Sequence, residues 1–463
     1  MGWNKIFTEK REDCEEKAFA TQKRRADMGK KAVVLGGGGS RGSYQVGVWK
    51  ALRELDFDYK IVTGTSVGAL NGALMVQNDY ELAQKMWQKL KTRDVMDVAV
   101  TDKIEGRKDL TSKVSAFISE IVKNGGADPR PLEQMLRAYI DEQKLRASQV
   151  AFGFMTVEYP RLEPKILTKE TVPEGEMVDY LMASAACFPA MKARVIGEKT
   201  YIDGGYSDNV PVKMAVEMGA DDVVAVDLEA IGIVRKMNFP AVRLRYLKSR
   251  WDLGIFLLFD SDVTARNIRL GYLETLKAFG KREGCLYTFL PGETAALHRR
   301  VERQAELLLA KSGMYLIPGN VYPAQARAQR KLRQLLDRQD GRLDDINIAL
   351  ACCEAAARFL NLTPLEEYTA RSMEEKLAEN YEKLEQDVEK IPEILAARSS
   401  KELTRHLVGL ERQLVLLYCC RCLEEMMEDR FSPAAVRVLC SAVTEEFLAA
   451  MYLCSLRLRD KEK

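Results

Sequence analysis

Two glycine-flanked segments and one aspartate hold most of the chemistry that this sequence could perform. In Gly64-Thr65-Ser66-Val67-Gly68, a serine sits between glycines two residues to either side, after the β-rich run Tyr59 to Thr63 and before an apolar stretch beginning near Ala69. That spacing permits a sharp strand-to-helix elbow, which lifts the hydroxyl out of a sheet and presents its Oγ as a nucleophile. The second segment, Gly36-Gly37-Gly38-Gly39-Ser40-Arg41-Gly42, follows the β-rich run Ala32 to Leu35 and leads into a helical stretch, Tyr44 to Leu55. Residues without Cβ let the backbone turn tightly and aim N–H groups at an anion beside a helix N-terminus. The anion is either a permanent phosphate or the transient oxyanion of a tetrahedral intermediate. Residues Gly37 to Gly42 also fit G-x-G-x-x-G, so a dinucleotide-binding loop and a merely tight turn stand beside that reading.

A serine nucleophile needs a base, and histidine is the usual one. The only histidines are His298 and His406, both beyond the glycine-rich region, which removes a Ser-His-Asp triad from within it. Either the serine is inert or another group takes its proton, and the candidate is Asp203, in Tyr201-Ile202-Asp203-Gly204-Gly205-Tyr206-Ser207-Asp208-Asn209-Val210-Pro211-Val212. It ends a β-like run, and Gly204 and Gly205 open the turn that follows. Taken alone, Asp-Gly more often caps a turn.

The elements that must position these residues alternate. β-rich runs at Ala32 to Leu35, Tyr59 to Val62 and Val223 to Val226 are separated by helical stretches such as Tyr80 to Leu90. Such alternation implies a largely parallel sheet covered by helices on both faces. Of 30 glycines, all but Gly341 and Gly409 lie at or before Gly319, so the last third should be helical. Helix starts are expected at Thr363-Pro364-Leu365-Glu366 and at Ser432-Pro433, and Leu403, Leu407, Leu410, Leu414 and Leu417 form one apolar face between them. Four regions follow: a charged lead-in at 1–29, an α/β domain at 30–290, a linker region at 291–324, and a helical domain at 325–463. Trp251 to Phe259 reads as a buried helix, with pocket lining or a lid as the alternative.

The order strand-GGGxR, strand-GxSxG-helix and DGG, with no histidine between, resembles the patatin-like phospholipase family. Ala183-Ser184-Ala185-Ala186-Cys187-Phe188-Pro189 and Asn209-Val210-Pro211-Val212 resemble the segments that flank its DGG. The resemblance covers roughly residues 30 to 226 and is expected to reach Leu290; the tail from about 295 resembles nothing identifiable. It implies a three-layer α/β domain in which Ser66 is the nucleophile and Asp203 its partner, with Gly64 and Gly68 shaping the elbow and Gly204 and Gly205 the motif turn. It further implies an oxyanion hole from Gly37, Gly38 and Gly39 with Arg41. Gly36 departs from the aspartate often found there in relatives. The function implied is hydrolysis of fatty-acyl esters through a Ser-Asp dyad and a covalent acyl-enzyme, without metal or cofactor. The alternatives are a catalytically silent or activator-dependent scaffold and, third, a nucleotide-binding domain, which leaves Ser66 and the DGG unexplained.

Composition narrows the partners. With 463 residues, Lys+Arg 70 against Asp+Glu 68 and a formal net charge of +2, no broad basic field exists to hold nucleic acid. No apolar run approaches the roughly 20 residues needed to cross a bilayer, and no secretory h-region is evident, so a cytoplasmic location is expected. The 10 cysteines then read as reduced thiols, and their paired spacing does not suit zinc. The expected partners are a phospholipid or other acyl-ester substrate, with peripheral membrane contact and a protein partner for the helical tail as further expectations.

Overall fold

The computed structural model describes residues 29–97, 119, 123, 125–236, 238–314, 323–336, 344–386 and 410–462. The charged lead-in, Leu403, His406 and Leu407 lie outside them. The chain divides into two compact units, Met1–Ala278 and Phe279–Lys463.

In the first unit, apolar runs buried on both faces along most of their length become the central strands, as a parallel sheet covered on both sides requires. They are β1 (Lys30–Leu35), β2 (Ile61–Thr65), β3 (Ala151–Tyr159) and β7 (Ala220–Asp227), joined by β4 (Glu163–Thr168), β5 (Arg194–Ile196), β6 (Lys199–Asp203) and β8 (Arg243–Lys248). The order is β5-β6-β3-β2-β1-β7-β8, with β4 also pairing β3. β1, β2, β3, β7 and β8 run parallel, whereas β4 and β6 lie antiparallel to β3, and β5 antiparallel to β6. The chain proceeds from β1 outward to β2 and β3, then returns to the other side of β1 with β7. The carboxyl end of β1 is therefore a topological switch point, where open α/β sheets leave a crevice.

The helices that frame this crevice are α1 (Ser43–Glu54), α2 (Val67–Gln77), α3 (Tyr80–Lys89), α4 (Arg130–Tyr139), α5 (Met177–Ser184) and α6 (Ser261–Ala278). α1 and α6 pack backbone to backbone: a Cβ on Gly47 would lie 1.9 Å from the Ile268 carbonyl oxygen, and one on Gly271 2.1 Å from that of Tyr44. Residues 251–260 do not form the expected helix. They are an irregular segment that leads into α6, and its Phe256, Leu257 and Phe259 line a cavity. Gly254, at φ 87°, occupies the left-handed region that breaks such a helix.

The second unit is built on α7 (Glu293–Ser312), α8 (Pro323–Leu336), α9 (Asp345–Phe359), α10 (Ala370–Gln386), α11 (Arg412–Met427), α12 (Pro433–Ala442) and α13 (Thr444–Lys461). It also holds a two-stranded parallel pair, β9 (Thr288–Phe289) with β10 (Glu367–Tyr368). Region 291–324, expected to be a linker, thus includes a 20-residue helix belonging to this unit. The start expected at Thr363 also moves. Residues 364–366 turn into β10, and α10 begins at Ala370, where Thr369 and Ser372 bond each other's backbone N–H through their hydroxyls. Ser432 does cap α12, accepting from the Ala434 N–H at 3.2 Å. The described cysteines are all free thiols. Among the described residues no helix is long and apolar enough to cross a membrane.

Candidate active site

β2 ends at Thr65 and α2 begins at Val67, leaving one residue for the reversal. Ser66 takes it at φ 56° and ψ −130°, a conformation that costs a non-glycine residue about 1–3 kcal/mol and persists only where surroundings enforce it. The enforcement is visible. The Ser66 N–H donates to Ser184 Oγ at 3.0 Å, and the Ser66 carbonyl accepts from the Ala69 N–H at 2.8 Å. Gly68 lies against the end of β1, where a Cβ would come 2.0 Å from the Leu35 carbonyl oxygen, and one on Gly64 would come 2.3 Å from that of Gly68. Both elbow glycines are therefore sterically required.

Asp203 arrives from the antiparallel side, at the end of β6 opposite Thr156 of β3. Thr65 Oγ1 donates to the Asp208 carbonyl at 2.9 Å and Thr63 Oγ1 to that of Pro211 at 3.1 Å, which fastens the segment after the DGG turn to β2. Asp203 Oδ1 accepts the Gly205 N–H at 2.8 Å, and Ser66 lies close enough to the carboxylate to lower its pKa. The turn-capping role is thus present, and the same carboxylate lines the cavity with Ser66. Asp203 is only 7% exposed. Burial pushes its pKa up to about 6, against the lowering effect of the Ser66 and Gly205 hydrogen bonds. Asp208 is also pushed up to about 6 by burial, with the Val210 N–H, Arg235 and Lys213 opposing, but it does not face the cavity that Ser66 and Asp203 share. Burial lifts the neighbouring Cys187 thiol to about 12, so it stays protonated beside the pair.

The glycine loop corrects two expectations. The Gly37 N–H is committed to the Asn209 carbonyl at 3.1 Å, so it is not an open donor. The N–H groups of Gly38 and Gly39 donate to no hydrogen bond among the described residues, and both residues line the cavity with Ser66. Arg41 does not face an anion either. Its Nε donates to the Gly254 carbonyl at 2.8 Å, and its Nη1 to those of Glu229 at 2.7 Å and Leu228 at 3.1 Å. It clamps the glycine loop between two neighbouring segments. Gly39, at φ 55°, completes the clamp, because a Cβ there would lie 2.0 Å from the Phe256 carbonyl oxygen.

A buried polar network that sequence reading missed holds loop and elbow in register. Asn71 Nδ2 donates to the Gly42 carbonyl at 3.0 Å and to Gln45 Oε1 at 2.8 Å, while its Oδ1 accepts from Trp87 Nε1 at 2.9 Å. Gln45 Nε2 in turn donates to the Gly36 carbonyl at 2.7 Å. No local motif announces these residues; a polar Asn within the apolar run of α2 is the one available signal.

The cavity encloses about 580 Å³, and most of its wall is apolar, with Leu70, Leu74, Trp87, Leu132, Leu136 and Phe256 among its lining. Ser66, Asp203, Gly38 and Gly39 line it together, with Asn71, Cys187, Tyr206 and Asn209 as further polar residues of the wall. A nucleophile, a buried acceptor and unpaired amides in an apolar chamber suit acyl transfer on a hydrophobic ester. A phosphate or dinucleotide would leave the pair and the apolar wall without a role.

The family model described as Patatin-like phospholipase matches residues 33–216. The chain is 26% identical over 203 residues to Patatin-like phospholipase domain-containing protein 7 of Rattus norvegicus, covering 42% of this chain and 13% of that protein. It is 29% identical over 260 residues to Lysophospholipase nte1 of Aspergillus terreus, covering 55% of this chain and 16% of that protein. It therefore spans only a small part of the length of either relative. The crystal structure of VipD from Legionella pneumophila aligns over 90% of this chain and 91% of that one, at TM-score 0.36 and 13% identity.

Proposed function

We propose, from the match of residues 33–216 to the patatin-like phospholipase family model, that the protein hydrolyses fatty-acyl lipid esters through Ser66 and Asp203. The observation that carries the reading is Ser66, on its strained elbow, and the buried Asp203 carboxylate together on the wall of one largely apolar cavity. Ser66 Oγ attacks the acyl carbonyl carbon as its proton passes to the Asp203 carboxylate. The carbonyl oxygen becomes an oxyanion, held by the Gly38 and Gly39 N–H groups. The intermediate collapses, the ester C–O bond breaks, and the leaving alcohol takes the proton from Asp203. Water then attacks the acyl-enzyme, giving its proton to Asp203, and the fatty acid departs as Ser66 regains a proton. An apolar wall binds the acyl chain without discriminating between headgroups, so lysophospholipid, phospholipid and simple ester substrates share this chemistry.

A fluorophosphonate probe tests the reading. Labelling of the parent that disappears in Ser66→Ala, together with a fall of roughly 10³-fold or more in kcat on a short-chain nitrophenyl ester, is expected. Turnover retained in Ser66→Ala refutes the covalent route. A parent that is folded, unlabelled and inactive points to the silent scaffold.

A further inference from the structure

Large apolar side chains left in solvent are unevenly distributed. Ile231 is 88% exposed, Ile233 54%, Val234 42% and Tyr206 44%. Single exposed apolar residues are ordinary, but these occupy two joined segments, and Ile231, Ile233 and Tyr206 also line the cavity. The exposure is held in place by backbone bonds. The Ile233 N–H donates to the Gly205 carbonyl at 2.9 Å, and the Ile233 carbonyl accepts from the Asn209 N–H at 2.7 Å. Arg235 donates to the Ser207 carbonyl and to Ser207 Oγ, each at 3.1 Å. The loop is thereby stitched to the segment that carries Asp203. Charge follows the apolar tip. Glu229 is neutralised by Lys248 at 2.5 Å, whereas the exposed Lys236 forms no ion pair among the described residues, so Arg235 and Lys236 leave the loop positive.

We propose that residues 230–236 dock the protein on a phospholipid bilayer, with Ile231, Ile233 and Val234 entering the acyl layer and Arg235 and Lys236 meeting the phosphates. An apolar tip with a basic flank matches the change from acyl chains to headgroups at a bilayer surface. Continuity with the cavity favours lipid over a protein partner, since the exposed residues form the rim through which an acyl chain would pass. The proposal rests on the acyl-hydrolase reading above.

The test uses the full chain. Binding is measured by co-sedimentation in the Ser66→Ala background, with vesicles of phosphatidylcholine alone or with added phosphatidylserine; turnover is measured in the active background. Val234→Asp, which alters a side chain outside the cavity lining, should lower vesicle partitioning about tenfold or more and turnover of vesicle-embedded lipid in parallel. Its turnover of a monomeric short-chain ester should not change. Lys236→Glu should lose only the binding that phosphatidylserine adds. Unchanged vesicle binding in both variants overturns the proposal. So does a parent that sediments as an oligomer and becomes monomeric in Val234→Asp, because the patch is then a self-association surface. Failure of the underlying reading shows separately, as a parent that binds vesicles but does not hydrolyse the short-chain ester.

Discussion

The Asp203 carboxylate carries an argument in which function and stability oppose each other. An ordinary aspartate, with a pKa of about 3.9, is a weak base for a hydroxyl, and burial lifts Asp203 to about 6. It must be ionised to accept the Ser66 proton, so kcat/KM should fall as pH drops through about 6 and stay level above it. That limb lies close to where histidine titrates, and His298→Ala should leave it unmoved; a shifted limb would implicate the imidazole. The linkage sign is the reverse of the usual carboxylate case. A folded-state pKa above the unfolded value stabilises the fold fully below about pH 4, and that contribution is lost as pH rises through about 6. Asp203→Asn should therefore abolish turnover yet raise stability at pH 7 by up to about 3 kcal/mol, with the gain vanishing toward pH 4 in denaturant titrations. Asp208→Asn, whose side chain does not face the cavity, should keep most of its activity.

Elements are held together by the side chains that span them. Asn71 joins α2 to the glycine loop, to Gln45 of α1 and to Trp87 of α3. Asn71→Ala leaves the Trp87 Nε1–H, the Gly42 carbonyl and Gln45 Oε1 without that partner in a buried region. The expected cost is about 2–4 kcal/mol, read as a lowered unfolding midpoint, with loss of turnover beyond what unfolding explains. An Asn71→Ala variant as stable as the parent would show that water replaces the amide. Arg41 acts at the same scale: its three carbonyl contacts order the loop whose amides are proposed to meet the oxyanion.

For the whole molecule, the division between Ala278 and Phe279 decides how the chain should be cut. Every motif residue from Gly36 to Gly205 lies in the first unit. A fragment ending at residue 278 should keep fluorophosphonate labelling at Ser66. One ending at residue 324 carries α7 without the helices of its own unit and should aggregate more, since an unpartnered amphipathic helix exposes its apolar face. Comparing the two fragments by gel filtration and probe labelling checks this. Loss of labelling from a soluble, cooperatively folded 1–278 fragment would assign part of the site to the second unit.

What this sequence determined by itself was local. The β1 and β2 runs, the elbow around Ser66 and the turn at Asp203 are each specified within a few residues, by continuous apolar content in the strands and by glycines where backbones meet. The late histidines excluded a triad from the glycine-rich region by composition alone. What the tertiary structure decided depends on residues far apart in the chain. Gly37 spends its N–H on Asn209, which no spacing rule reveals, and Arg41 turns to carbonyls 187 to 213 residues away. Residues 251–260 line the cavity instead of forming a helix because they pack over the glycine loop, where the Phe256 carbonyl accepts the Ser40 N–H at 2.8 Å. The raised pKa of Asp203 is likewise tertiary, since burial is a property of everything around a carboxylate and its sequence neighbours supply only part of that enclosure.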